Sequence, residues 1–114
     1  MRQVFIARKG PPARALEVRE AADPRPRAGE VRIRVRAAGV NFADLMACHG
    51  LYPDAPPRPF VPGYEVAGEI DGVGPGVPES RLGERAFAAT RFGGYSSLVV
   101  ARAALVAPVP GRLS

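Results

Sequence analysis

The sequence predicts a mostly β, barrel-like domain with one or two short helices, and three observations carry that reading. In six to seven places short apolar stretches alternate with polar residues at the two-residue period of half-buried strands. Thirteen glycines and thirteen prolines are spread along the 114 residues without a period, which excludes collagen and supplies turns between short strands. Only one stretch, Asn41 to Gly50, carries a clear helical pattern.

Taken in order, "QVFIAR" (Gln3 to Arg8) reads as a first strand, closed by the breaker run Gly10-Pro11-Pro12. "ALEVRE" sets Leu16 and Val18 against charges, a half-buried second strand, and "DPRPRAGE" is a proline-punctuated turn. "EVRIRVRAAGV" is the clearest strand, with five apolar positions alternating from Val31 to Gly39 against arginines. In "NFADLMACHG" Asn41 is placed as a helix N-cap, Asp44 follows three residues later, and Gly50 is a stop. Phe42, Leu45 and Met46 share one face of that two- to three-turn helix. "LYPDAPPRPFVPG" holds five prolines in thirteen residues and predicts a stiff, extended loop, and long ordered loops are usually functional. "YEVAGEIDGVG" alternates Tyr64, Val66, Gly68 and Ile70 as a strand, and "ERAFAAT" and "YSSLVVARAALVAPVP" supply further strands on either side of Gly93-Gly94. No repeat or linker interrupts the chain.

A chain of this length is one domain that buries roughly 65% of its unfolded surface. Apolar residues at 46% provide a core, and charged residues at 24% are ordinary. The net charge is +5, and fifteen of the sixteen basic residues are Arg. One reading is a nucleic-acid partner; the other is a compositional bias toward Arg and Ala, with the charges on solvated faces. "RIRVR" places Arg32, Arg34 and Arg36 on one strand face without interleaved aromatics, so base stacking has no platform and no nucleic-acid partner is expected. A single Cys excludes an intramolecular disulfide and fits a reducing cytoplasm. The N-terminal apolar run, Val4 to Ala7, is too short for a signal sequence or a membrane span. The expectation is a soluble, cytoplasmic protein without a membrane partner.

The chemistry-bearing residues cluster in the middle of the chain. Cys48 and His49 are adjacent, so on a helix they project about 100° apart and grip one ion poorly. No second Cys or His exists to complete a zinc shell, and both read as bystanders. Gly72, Gly74 and Gly76 suggest a phosphate-cradling turn, but such a turn opens a helix within a βαβ unit. Here Pro75, Pro78 and another strand follow, so a β-turn is expected. Asp44 and Glu65 are carboxylates inside otherwise apolar elements, a position usually held by a hydrogen-bonded structural acceptor. Tyr52, at the base of the proline loop, is placed to donate to a ligand.

The order "RAAGVNFADLMACHGLYP", "PFVPGYEVAGEIDGVGPGV", "LGERAF", "GGYSSLVVA" resembles the N-terminal, GroES-like domain of medium-chain dehydrogenases/reductases. Within that superfamily it is similar to the zinc-free NADPH:quinone oxidoreductase branch, which includes VAT-1-like proteins and the enoyl reductase domains of synthases. The resemblance covers the whole chain and implies a GroES-like, partly open β-barrel. Zinc alcohol dehydrogenases carry a Cys ligand where this chain has Asn41 and His-Glu where it has Tyr64-Glu65, and the four-Cys structural lobe is missing. No metal is therefore expected.

The implied chemistry is hydride transfer from NADPH to a quinone or an α,β-unsaturated carbonyl. A simple ketone needs a Lewis acid for its developing charge. A quinone gains aromatic stabilisation on reduction, so one or two hydrogen-bond donors suffice. The resemblance implies catalytic roles for Asn41, Asp44 and Tyr52, nicotinamide contacts from Asn41, Phe42 and Met46, and substrate contacts from Tyr52 and Tyr64. Relatives often have Tyr where this chain has Met46. It further implies a homodimeric parent whose Rossmann domain, absent from residues 1–114, holds the NADPH, with Ser114 capping that domain's first helix. The isolated chain is then expected to be catalytically silent. The alternative is a stand-alone GroES-like module for protein association through exposed strand edges.

Overall fold

A computed structural model describes residues 1–113; the expectation that Ser114 caps a following helix lies outside them. Seven strands and two short helices follow in the order β1 (Arg2–Ile6), α1 (Pro12–Ala15), β2 (Leu16–Glu20), β3 (Glu30–Ala38), α2 (Phe42–Cys48), β4 (Glu65–Val73), β5 (Arg85–Ala89), β6 (Leu98–Arg102) and β7 (Val106–Pro108). Strands β6-β3-β4-β5-β7 form an antiparallel sheet, and β1 and β2 form a separate hairpin. The sheet curls around Val31, Ile33, Val66, Ile70, Ala86, Ala88, Val99 and Val106. The hairpin is tied to the segment before β6 and to the proline loop through Val4 N–H to Tyr95 O (2.9 Å), Ser97 N–H to Arg2 O (2.9 Å) and Ile6 N–H to Phe60 O (2.8 Å). The result is the expected mainly β, partly open barrel.

The breaker run Gly10-Pro11-Pro12 closes β1 as expected and leads directly into a one-turn helix, α1. Pro12 stands at the first helical turn, where a missing N–H costs nothing, and Arg14 and Ala15 N–H both reach Pro11 O. Ala15 then joins Ile6, Ala47, Cys48 and Phe60 in a second core beneath α2 and the proline loop.

Two strand expectations are corrected. The alternation predicted from Val31 to Gly39 holds only as far as Val35. The pairs Val35↔Gly68 and Ala37↔Ala67 leave Arg36 as an extra residue, so the phase flips: Ala38 packs on the core and Ala37 faces solvent. Gly68 makes this close pairing possible, because a Cβ there would lie 2.0 Å from Arg34 O. Val18, expected to be half-buried, is 68% exposed. A two-stranded hairpin has no third layer to cover that face.

The arginine row is partly neutralised by β4. Arg32 Nε donates to Asp71 Oδ1 at 2.8 Å, Arg34 reaches the same carboxylate at 3.5 Å, and Arg36 approaches Glu69 at 3.5 Å. This is the solvated-face arrangement. The glycine-rich segment is the expected β-turn, with Gly76 at φ +86° and a 3-10 turn at Glu79–Arg81 after it. No helix among the described residues is long and apolar enough to cross a membrane.

Candidate functional site

Helix α2 is short, and its start is tied down by its own third residue. Asp44 Oδ2 accepts the Asn41 backbone N–H at 2.9 Å, and Asp44 N–H returns to Asn41 O at 3.0 Å. The carboxylate is 3% exposed because the helix turns Asp44, Ala47 and Cys48 inward. The face of Phe42 and Leu45 points the other way: Phe42 is 74% and Leu45 41% exposed, and Val40 before them is 72% exposed. Met46 lies between the two faces, half-buried.

Two glycines bring the other partners to Asp44. Gly63, at φ +108°, donates its N–H to Asp44 Oδ1 at 3.3 Å. A Cβ on Gly63 would lie 2.7 Å from Tyr95 Cδ1 and 2.8 Å from Gly94 Cα, so the two backbones touch only because both lack side chains. That contact seats Tyr95, whose hydroxyl donates to Asp44 Oδ2 at 2.9 Å. Burial, then the neighbouring Asp44 carboxylate, push the Tyr95 phenol above its ordinary range, so it remains a donor. A buried carboxylate with three donors is the arrangement that makes its burial affordable.

The other tyrosines form a chain of rings. Tyr52 and Tyr64 meet edge-on at 6.1 Å, Tyr64 lies 5.4 Å from Phe92, and Phe92 meets Phe60 at 5.7 Å. Tyr64 Oη is buried without a hydrogen-bond partner among the described residues. Burial first, then the adjacent Tyr52 hydroxyl, push its phenol above the ordinary range. Tyr52 lines a pocket of about 210 Å³ with Arg58 and the loop prolines. Two larger clefts adjoin the approach to α2, one lined by Val40 and one by Gly39. One of about 430 Å³ is bordered by Val18, Val40 and Tyr95, and one of about 490 Å³ by Ala37, Glu65 and Phe87.

The sequence-predicted residues thus fall into three groups. Asn41 and Asp44 are joined by a hydrogen bond, and Tyr52 and Tyr64 share a ring contact. Phe42 faces outward on the first turn of α2, and Met46 is half-buried one turn on. Residue-level reading missed Gly63, Gly94 and Tyr95. The signal was present in the paired glycine before an aromatic, "GGY", but a close approach needs its partner segment, and Gly63 lies thirty-one residues before Gly94.

Cys48 and His49 do not converge: Cys48 is buried in the second core and His49 is exposed. Burial, then Asp44, push the Cys48 thiol up. Alkylation of native Cys48 is expected to be roughly a hundredfold slower than in denaturant, which a thiol-labelling time course checks.

Residues 27–111 match the profile of the alcohol dehydrogenase GroES-like domain. The chain belongs to that family. The GroES-like domain is 47% identical over 78 residues to the human synaptic vesicle membrane protein VAT-1 homolog, covering 68% of this chain and 20% of that one. It superposes with a TM-score of 0.91 on the crystal structure of the human VAT-1 homolog-like protein, at 33% identity, over all of this chain and 37% of that one. The Escherichia coli quinone oxidoreductase complexed with NADPH gives 0.88 at 30% identity, over all of this chain and 35% of that one. The GroES-like domain therefore spans well under half the length of these medium-chain dehydrogenase/reductase relatives.

Proposed function

We propose that this GroES-like domain is the substrate side of a zinc-independent reductase that passes hydride from NADPH to a quinone or an α,β-unsaturated carbonyl. The observation that carries the reading is the outward apolar surface of Val40, Phe42 and Leu45 at the start of α2. Asn41 and Phe42, two of the residues expected beside a nicotinamide, stand within it, and bare apolar groups of this size mark a surface that something covers.

Asn41, Phe42 and Met46 are the residues of this chain that would lie beside the nicotinamide, and NADPH, when bound, would supply the hydride. The chain's own residues do the rest. Asp44 fixes the backbone at Asn41. Tyr52, which lines the pocket beside the proline loop and packs against Tyr64, supplies an O–H donor for the negative charge developing on a carbonyl oxygen.

The donor set does not suit zinc. Asn41 and Tyr64 present a carboxamide and a phenol where thiolate and imidazole would serve, and no group of three His, Cys, Asp or Glu converges among the described residues. The same uncovered face would serve a protein partner, which is the association-module reading.

Assaying the complete gene product that contains this chain separates the two. NADPH oxidation dependent on a quinone or enone, and indifferent to chelator, is expected, with residues 1–114 alone silent and the active species a homodimer. Alcohol oxidation that a chelator abolishes would sink the zinc-independent reading. Turnover by residues 1–114 alone would sink the division of labour. Inactivity with every acceptor would leave the association module.

A further inference from the structure

We infer that Tyr95 is a positioning residue for the proposed reaction, holding Asn41 in place through Asp44. The inference rests on the functional reading above. Tyr95 is itself pinned on both sides of its backbone: its N–H donates to Pro62 O at 3.0 Å, and its C=O accepts Val4 N–H at 2.9 Å. Its ring rests on Gly63, where a Cβ would come within 2.7 Å. The hydroxyl then reaches Asp44 Oδ2 at 2.9 Å, the same oxygen that accepts Asn41 N–H at 2.9 Å.

Two donors at 2.9 Å hold Oδ2, and Gly63 N–H holds Oδ1 by a longer bond of 3.3 Å, so the Tyr95 hydroxyl supplies one of the two short bonds that seat the carboxylate. Removing the Tyr95 hydroxyl leaves one donor on each oxygen, Asn41 N–H on Oδ2 and the longer Gly63 N–H bond on Oδ1, so the carboxylate and the Asn41 backbone it holds are fixed less firmly. Nothing places Tyr95 itself against a substrate, so its effect passes through Asp44 to Asn41.

The test uses the complete gene product. Tyr95→Phe keeps the ring and removes the hydroxyl; it is expected to lower kcat about tenfold while KM for NADPH stays within about twofold. If both residues act through one bond, Tyr95→Phe adds nothing to Asp44→Asn in the double variant. Ser96→Ala is the structural control. That buried hydroxyl accepts from Gln3 and donates to Gly93 O in the same segment, so its loss should lower Tm without changing kcat.

Amide exchange over residues 41–44 gives a readout independent of turnover, and Tyr95→Phe should accelerate it more than Ser96→Ala does. An unchanged kcat, additive losses, or exchange no faster than in the control would each overturn the inference. A wild-type protein that reduces neither quinones nor enones would instead overturn the functional reading, and the exchange measurement would still decide whether Tyr95 holds Asn41.

Discussion

Gly63→Ala is expected to lower the unfolding free energy by about 3 to 5 kcal/mol, measured as the urea midpoint at fixed slope. Two costs add. At φ +108° an L side chain is strained, worth about 1 to 3 kcal/mol. The new Cβ also meets Tyr95 Cδ1 at 2.7 Å, Gly94 Cα at 2.8 Å and Tyr95 N at 2.8 Å, and backbone atoms of a packed segment cannot swing aside. Gly76→Ala separates the two, since Gly76 has φ +86° but nothing within 4 Å of a Cβ. It should cost only about 1 to 2 kcal/mol. Equal losses at the two positions would mean that the Gly63–Gly94 contact carries no weight.

Asp44→Ala should destabilise by about 3 kcal/mol or more and remove turnover in the complete gene product. The substitution strands the buried Gly63 N–H and the part-buried Asn41 N–H and Tyr95 hydroxyl, and a donor left unpaired away from water costs about 1 to 3 kcal/mol. Relief of the buried charge offsets part of that sum, so the loss is smaller than three full penalties. Thermal unfolding checks the first effect and steady-state kinetics the second. A variant within about 0.5 kcal/mol of wild type would show that water replaces the carboxylate at little cost.

These two positions were unequally legible in the sequence. Asp44 stands three residues after a cap residue, a local spacing that marks a helix start, and the observed bond to Asn41 N–H is that local geometry. Gly63 looked like one more glycine in a proline loop. Its need for φ +108° and its contact with Gly94 arise from a segment thirty-one residues away, which no local pattern encodes.

The direction of α2 was likewise hidden. Phe42 and Leu45 share a face by helical periodicity, but periodicity does not say which face is covered, and here the face of the smaller residues Asp44, Ala47 and Cys48 packs inward. On β3 the alternation was legible up to Val35, where Arg36, without a strand partner, reset the phase; a bulge is a property of the pair of strands.

What the sequence by itself determined is therefore what depends on neighbours along the chain. That comprises the strand periods, the capped helix, the turns at Gly-Pro clusters, and the GroES-like resemblance carried by contiguous runs such as "NFADLMACHGLYP". Only the tertiary structure decided which side of α2 is buried, where β3 slips, and that Tyr95 reaches Asp44 from fifty-one residues away. Each of those follows from packing two surfaces against one another, and the free energy of that contact belongs to both segments at once.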